Sequence, residues 1–294
     1  MINYRIREFK EHNYKAIFNS KTGQTMRIAI DPTKPITRLK WPEIVDISLG
    51  TKCFGNCPYC YTSATSNGIL YDDVIFKIDG WFGHMDTNER PFQVALGGGG
   101  EPTLHPDFCK VLRIFKELLI VPNYTTNTMH LTEEIINTTK EVCGGVAISC
   151  HPHLENVWRR GIKLLTESGI RTNLHIMVGE PYSTERFWRL FSEYSSLIDY
   201  FVLLPYQSMG RAKQVNTEAE LTKLFDSFLS NLPENVAFGA LLYPFLLSTE
   251  NKYKKLNISL YEPEIVSSYL MLDNDICFRK SSFDLERLWK EGEQ

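Results

Sequence analysis

The sequence predicts an α/β fold, a partial (β/α)6 barrel of the TIM type with a β-rich N-terminal leader and a short C-terminal extension of a hairpin and a helix. Two observations support this class. Short apolar β-type runs alternate with segments whose apolar residues recur with helical spacing. From the second run onward the runs begin about 27 residues apart, which is typical of strand–helix units in a parallel sheet. This periodicity alone does not separate a barrel from an open, doubly wound sheet.

The predicted strands and helices follow one another from residue 43 onward. Apolar residues from Phe108 to Leu119 and from Phe187 to Tyr194 predict two of the helices, with Ser183 as the N-cap of the second. Thr217 and Glu220 form a capping-box pattern at the start of a third helix. The predicted strands are 44–49, 92–97, 119–125, 145–150, 172–178 and 199–205, with a weaker seventh at 236–242.

The two ends of the chain depart from this rhythm, which gives three predicted parts: a leader at 1–41, the barrel at 42–242 and an extension at 243–294. In the leader, two alternating runs around residues 14–18 and 26–30 flank a turn at 20–23. In the extension, residues 250–255 are predicted to be a solvated loop and residues 267–278 a hairpin. Leu285, Leu288 and Trp289 predict a short final helix.

The composition excludes several classes of protein. The 294 residues include 32 Lys and Arg against 35 Asp and Glu, a formal net charge of −3, which argues against a nucleic-acid partner. No apolar run approaches the ~18 residues of a membrane span, and the charged N-terminus does not resemble a secretory signal. The seven cysteines are an odd number, so we expect a reducing cytoplasm. Without an obvious exposed apolar stripe, we expect a monomer.

Three of the cysteines lie within eight residues. Cys53, Cys57 and Cys60 form the pattern C-x3-C-x2-C directly after the first predicted barrel strand. Thiolates are soft ligands that suit zinc and iron–sulfur clusters. Structural zinc sites normally have four ligands, and His105 or Cys109 could complete one here. Three thiolates could instead hold a cubane cluster and leave one iron open to an exogenous group.

Further motifs follow the next strands in order. The second barrel strand leads into GGGGEPTLHPD at residues 97–107, and the third into TTNT at residues 125–128. The fourth ends at Ser149 and Cys150, and the sixth leads into LPYQSMGR at residues 204–211. A glycine run alone is weak evidence, but the ordered set spans more than half of the chain.

Together these motifs resemble those of the radical S-adenosylmethionine (SAM) superfamily. The cysteine pattern with Tyr59 before the third cysteine matches the family signature, residues 98–102 match its GGEP motif, and Thr128 stands where the family's T-N-G element has glycine. The resemblance implies a [4Fe–4S] cluster on Cys53, Cys57 and Cys60, with SAM bound at its open iron. Reductive cleavage of SAM would give a 5′-deoxyadenosyl radical, which abstracts hydrogen from the substrate.

The resemblance also implies where SAM binds. The glycines would allow close approach of the backbone to its methionine part, Glu101 would set the loop near the amine, and Asn127 and Ser149 would bind the ribose or carboxylate. Tyr59 and Met177 would flank the adenine. These side chains follow strand ends that meet at one face of a barrel. The complete set of expected SAM-binding residues is Tyr59, Gly98, Gly99, Gly100, Glu101, Thr126, Asn127, Ser149 and Met177.

The substrate is less determined by the sequence. The tail resembles in outline that of the peptide- and protein-modifying branch of the family, but its single cysteine, Cys277, cannot hold an auxiliary cluster. We expect a peptide or protein side chain as substrate; the alternatives are a small metabolite or nucleoside, activation of a glycyl-radical enzyme, or a non-catalytic zinc protein. The resemblance implies a low-potential electron donor of the flavodoxin or ferredoxin type.

Other side chains near the predicted mouth are candidates for contact with the substrate. Cys150 could donate or accept a hydrogen atom, although free cysteines are usually buried and inert. His151 and His153 are expected in a loop near the site, and His175 could point into the barrel. Arg159, Arg160 and Arg211 could meet an anionic substrate.

Overall fold

The computed structural model describes residues 3–258, 265–273, 277–279 and 287–290. The leader forms a three-stranded antiparallel sheet in the order β1-β2-β3. The predicted turn at 20–23 joins β2 to β3, and the Gly23 N–H donates to the Asn19 carbonyl at 2.8 Å. The first strand was not predicted, because charged residues interrupt its apolar alternation. The strands are β1 (Tyr4–Phe9), β2 (Tyr14–Asn19) and β3 (Thr25–Ala29).

A second, ten-stranded sheet forms the partial barrel. Its order is β10-β9-β8-β7-β6-β5-β4-β11-β12-β13, and the eight strands from β10 to β11 run parallel. All six predicted barrel strands are present, which confirms the fold class. The weaker seventh ends at Phe238, because residues 240–242 form a 3-10 turn that leads into a helix. The strands are β4 (Ile44–Ser48), β5 (Gln93–Leu96), β6 (Val121–Thr126), β7 (Gly145–Ser149), β8 (Thr172–Val178), β9 (Tyr200–Pro205), β10 (Val236–Phe238), β11 (Ser267–Met271), β12 (Cys277–Arg279) and β13 (Arg287–Lys290).

The helices lie outside the sheet and bury apolar residues against it. The prediction of Ser183 as an N-cap was wrong, since Tyr182 precedes the helix in the left-handed region and the Ser183 hydroxyl accepts from the Gly179 N–H. Thr217 does precede its helix, but its side chain makes no capping hydrogen bond. The helices are α1 (Val74–Ile78), α2 (Phe108–Glu117), α3 (Glu133–Val142), α4 (Glu155–Glu167), α5 (Ser183–Tyr194), α6 (Glu218–Phe228), α7 (Tyr243–Ser248) and α8 (Glu250–Tyr253). No helix among the described residues is long and apolar enough to cross a membrane.

The C-terminal extension differs from its prediction in two places. Residues 250–255 are not a loop, because the buried ring of Tyr253 packs on Phe225 of α6 and holds α8 and a following 3-10 turn in place. The predicted hairpin is confirmed by the pairing of β11 with β12. The predicted final helix is wrong at Leu288 and Trp289, which lie in β13 and pair with β12; Leu285 lies outside the described residues.

The leader sits at the N-terminal end of the barrel. Tyr14, Ala16 and Phe18 of β2 form a small buried cluster with Phe92 and Val266, which stand where β5 and β11 begin. The guanidinium of Arg171 donates to the carbonyls of the leader's turn at residues 21 and 22. The N-terminal opening is therefore covered in part by the leader, and the site must lie towards the other end.

Small residues line the inner face of the sheet. Ala95 of β5, Ala147 of β7, and glycines at 97 and 145 occupy positions that face the lumen. In a complete barrel of this type, bulky branched side chains fill the interior in layers. Here the small residues leave the lumen open, and a cavity of about 460 Å³ lies at the C-terminal ends of the strands.

Candidate active site

The three clustered cysteines line this cavity. They lie on the loop that follows β4, where the Cys53 N–H donates to the Thr65 carbonyl at 2.8 Å and the Cys60 N–H donates to the Cys57 carbonyl at 3.2 Å. The Cys53 sulfur accepts a hydrogen bond from the Gly55 N–H at 3.3 Å. The loop therefore holds three thiols at the rim of one cavity, at the end of the barrel where barrel enzymes bind their substrates.

The two alternative fourth ligands of a zinc site, His105 and Cys109, are not placed to join the three thiols. Burial raises the pKa of Cys57 to about 12, with the neighbouring thiols adding to it and Arg211 opposing it. Within the described parts of the chain, no three His, Cys, Asp or Glu side chains form a group that could hold one metal ion. The expected zinc closures are not formed: both ring nitrogens of His105 have backbone partners, and Cys109 lies on α2 outside the sheet.

The glycine-rich loop clamps the base of the cysteine loop. The Gly100 N–H donates to the Gly50 carbonyl at 2.7 Å, and the Glu101 N–H donates to the Lys52 carbonyl at 2.8 Å. A Cβ on Gly99 would lie 2.5 Å from the Gly50 carbonyl oxygen, and one on Gly100 would lie 2.7 Å from the Lys52 nitrogen. Gly99 and Gly100 are thus required by backbone packing within the protein, and Gly98 (φ 74°) by its left-handed conformation.

Glu101 ties this loop to the end of β6. One carboxylate oxygen accepts from the hydroxyls of Thr103 and Thr126, both at 2.7 Å, and the other accepts from the Asn127 N–H at 2.8 Å. Burial raises the pKa of Glu101, and these hydrogen bonds oppose the shift. Because both carboxylate oxygens accept hydrogen bonds from the protein, Glu101 holds the glycine-rich loop and the end of β6 together at a polar side of the cavity.

Asn127 connects β6 to the cysteine loop. Its side-chain amide donates to the Cys53 sulfur at 3.5 Å, and its side-chain oxygen accepts from the Met129 N–H at 2.9 Å. Thr128 follows in the left-handed conformation (φ 64°), at the position where the superfamily's motif has glycine. Its hydroxyl donates to the Val157 carbonyl of α4. The chain therefore keeps the glycine-like turn and stabilises it through contacts of the threonine side chain.

A cluster of aromatic rings and imidazoles forms another wall. The Tyr59 hydroxyl and His153 Nδ1 share a hydrogen bond of 3.3 Å, while His153 Nε2 donates to the Gly55 carbonyl at 2.9 Å. The Tyr59 ring lies 5.5 Å from that of His151, centroid to centroid. Ser149 and Met177 also line the cavity. The structure thus brings the expected residues together around one space.

Cys150 and the arginines are placed differently from expectation. Cys150 is buried on the helix side of β7, because neighbouring strand residues face opposite ways and Ser149 faces the lumen; this placement does not support a hydrogen-atom donor. Arg159 pairs with Glu155 and Glu193 on the helices.

Arg211 is turned towards the cysteine loop rather than towards a substrate. Its guanidinium donates to the carbonyls of Cys57 at 3.0 Å and Ala64 at 2.8 Å, and its backbone N–H donates to the Cys60 carbonyl. Sequence reasoning missed this role, and it also missed several cavity residues, among them Asp46, Ser267 and Ser268. The alternation of side chains along β4 could have identified Asp46 as facing the lumen. The two serines reach the site only because β11 pairs with β4.

Comparisons with known proteins agree with this geometry. The family model of the radical SAM superfamily matches residues 47–193. No curated protein matches the chain in sequence. In structure, the chain is similar to SuiB of Streptococcus suis, with a TM-score of 0.65 and 13% identity over 94% of this chain and 81% of that one. It is also similar to anSMEcpe with bound AdoMet and a peptide, with a TM-score of 0.55 and 13% identity over 84% of this chain and 76% of that one.

Proposed function

The chain belongs to the radical SAM superfamily, and we propose that this radical SAM enzyme abstracts hydrogen from a side chain of a peptide or protein. Membership implies a [4Fe–4S] cluster and SAM as cofactors. The residues present fit both groups: three soft thiol donors share one loop, and that loop opens onto a cavity beneath a glycine-rich turn. This fit of the cysteine loop, the glycine loop and one cavity is the observation that carries the proposal.

In this proposal Cys53, Cys57 and Cys60 hold the cluster through their sulfur atoms. SAM would bind in the cavity lined by the glycine loop, Thr126, Ser149 and Met177, and Tyr59 would contact its adenine. When bound, cluster and SAM together supply the one-electron chemistry that makes a hydrogen-atom abstractor. The rings of Tyr59, His151 and His153 would shield one side of the cavity from bulk solvent.

The surrounding residues hold this arrangement rigid. Arg211 donates hydrogen bonds to carbonyls of the cysteine loop and so fixes its conformation. The amide of Asn127 donates to the Cys53 sulfur, and the same hydrogen bond would form with the sulfur as a thiolate. Glu101 keeps the glycine loop and β6 at a constant separation through its hydrogen bonds to Thr126 and Asn127. These residues position the cofactors, and none needs to exchange a proton during the reaction.

Two features support a peptide as the substrate. The fold is shared with SuiB, a structure of which is bound to the precursor peptide SuiA, at a TM-score of 0.58 and 16% identity over 81% of this chain and 60% of that one. The leader sheet of this chain ends in two edge strands, β1 and β3, and extended peptides commonly bind by adding a strand to such an edge. The cavity is also bordered by Ser267 and Ser268 of the extension.

We also propose an electron donor of the flavodoxin or ferredoxin type. Phe54 in the cysteine loop is 50% exposed, and the Lys52 ammonium lies 5.7 Å from the centre of its ring. An exposed apolar residue beside a cation, next to the cluster ligands, suits brief contact with an acidic redox protein.

Electron paramagnetic resonance tests the cofactor assignment. The protein is reconstituted with iron and sulfide without oxygen, reduced, and measured with and without SAM. We expect a [4Fe–4S]⁺ signal that changes when SAM is added and that is absent from the Cys53→Ala/Cys57→Ala/Cys60→Ala variant. Stoichiometric zinc in place of iron would contradict the assignment.

Formation of 5′-deoxyadenosine tests the substrate class. The reduced, reconstituted enzyme is supplied with SAM and with size fractions of a lysate from its native source, each used before and after protease digestion. We expect the peptide fraction to stimulate product formation and digestion to abolish the effect. Stimulation by a small-molecule fraction that resists protease would favour the metabolite or nucleoside alternative.

A further inference from the structure

Asp46 is a carboxylate in the lumen to which the mechanism above gives no role. It is the third residue of β4 and pairs across the sheet with Ala95 of β5 and Tyr269 of β11. Its side chain lines the same cavity as the three cysteines. Ser48, two residues along β4, lies directly under Gly99. Because alternate strand residues share a face ~7 Å apart, Asp46 lies one side-chain step below the glycine loop.

The carboxylate of Asp46 has no hydrogen bond or ion pair to another described residue of the chain. It faces the lumen, where more than a third of its surface is open to water, and the surrounding barrel wall disfavours the charged form and raises its pKa to about 6. A carboxylate in such an enclosed space is stabilised by a nearby cation or by several hydrogen-bond donors. Glu101 in the same cavity has such donors, whereas Asp46 has none.

The described lining of the lumen offers no positive charge near Asp46. No lysine or arginine is among the described residues that line the cavity. Burial lowers the pKa of both His151 and His175 to about 4, so these imidazoles are neutral at pH 7. Glu101 and cluster-bound thiolates would make the cavity more negative still. A cationic group that enters the lumen would therefore meet Asp46 without competition from a lysine or arginine of the described lining.

We propose that Asp46 recognises the substrate by binding a cationic group, the ammonium or guanidinium of a lysine-like or arginine-like side chain that enters the lumen. This inference rests on the proposed function, since it names the kind of peptide side chain the enzyme accepts. The carboxylate would fix the depth to which the side chain enters, and so decide which of its carbons faces the cofactor end. Asp46 would act as a specificity-determining residue.

Binding of two matched peptides tests the proposal. The probes are acetyl-Gly-Lys-Gly-amide and acetyl-Gly-norleucine-Gly-amide, which differ in the terminal charge. Binding to the reconstituted enzyme with SAM, without reductant, is followed by ligand-observed NMR. We expect the lysine probe to bind about tenfold more tightly than the norleucine probe. Asp46→Asn and Asp46→Ala should both remove this preference, and Glu117→Gln, an exposed carboxylate on α2, should keep it.

Each other outcome overturns the inference. Equal binding of the two probes, or no saturable binding of the lysine probe at about 10 mM, would show that the lumen does not select a cation. Weaker SAM binding in Asp46→Asn with unchanged probe preference would assign the carboxylate to the cofactor's sulfonium instead. Should the probes fail while the protease-sensitive fraction still stimulates 5′-deoxyadenosine formation, the proposed function stands and only the role of Asp46 falls.

Discussion

The two ends of the barrel are built in opposite ways. At the N-terminal end, long charged side chains from the leader are buried and fully paired: the Arg7 guanidinium donates to the carbonyls of Trp41, Pro42 and Asn88, and Arg27 pairs with the buried Glu43. At the C-terminal end, glycines let loops touch backbone to backbone, and the space between the strands stays open.

The difference shows how one fold separates stability from function. Where the leader packs on the barrel, the charged side chains saturate their hydrogen bonds, so few polar side chains of that packed face are available for a ligand. At the cofactor end, glycines stand where the loops touch. The polar side chains there are either fixed by hydrogen bonds, as in Glu101, or have no hydrogen-bond partner in the described part of the chain, as in Asp46. Substitutions at the two ends should therefore have different consequences for stability and for cofactor binding.

Arg7→Met should have the largest effect on stability. The guanidinium is buried against the rings of Phe9 and Phe92, and its removal leaves several buried carbonyls without a donor. We expect a loss of about 3–5 kcal/mol in the free energy of unfolding, measured by denaturant titration. SAM binding by the folded fraction should persist. Arg160→Met, an exposed residue on α4, is the matched control and should change stability by under ~0.5 kcal/mol.

Gly100→Ala should disable the cofactor end with a smaller loss of stability. The new methyl group would collide with the backbone of Lys52, which cannot move without displacing the cysteine loop. We expect a cost of about 2–3 kcal/mol together with loss of iron incorporation, read from the visible absorption of the reconstituted protein. Gly80→Ala, where a Cβ meets nothing within 4 Å, should retain the cluster. Normal iron content in Gly100→Ala would refute the packing argument.

The barrel strands and their succession along the chain could be predicted from sequence, because periodicity and turn residues are local signals. The alternation within β7 also decides that Ser149 faces the lumen and Cys150 the helices. The pairing of β11 with β4 joins residues more than 200 positions apart, and no local pattern encodes it. β13 was missed for the same reason. The spacing of Leu288 and Trp289 is typical of a helix, but the pairing of this segment with β12 decides that it is a strand.

Within the site, motifs located the residues but not their partners. The sequence placed the cysteines and the glycine loop near each other, and the resemblance assigned Gly99, Gly100 and Glu101 to SAM. The structure shows that these residues first serve contacts between loops. Which atoms meet depends on how loops from neighbouring strands cross, and this geometry is set by tertiary packing.

Gly161→Ala on α4 should show how the strained turn at Thr128 is held. A Cβ at position 161 would lie 2.5 Å from the side-chain atoms of Thr128, so we expect a loss of about 2 kcal/mol from overpacking. Thr128→Gly alone should be nearly neutral, because it removes the strain at φ 64° together with the contacts that offset it. In the double variant most of the loss should be recovered. Purely additive losses would contradict direct contact.

Of these substitutions, Asp46→Asn should change the free energy of unfolding least. At neutral pH it should increase this free energy, whereas the others decrease it. Because the folded-state pKa of Asp46 is raised from 3.8 to about 6, the folded chain holds the proton more tightly than the unfolded chain, and ionisation destabilises the fold as pH rises between these values. The variant should therefore be more stable than the wild type above pH 6, by about 1 kcal/mol after screening by lumen water.

This gain should shrink as the pH falls towards 4, which thermal unfolding at pH 7.5 and pH 5 can measure. The other groups that line the lumen near Asp46 are the same in both proteins: His175 and His151, whose pKa values burial lowers to about 4, and Tyr269, whose pKa burial raises. Their protonation therefore cancels in the difference between variant and wild type. A variant less stable than the wild type at pH 7.5 would mean that Asp46 has a structural partner. A more stable variant would mean that the carboxylate is kept at the expense of stability, as expected of a residue retained to bind a cation.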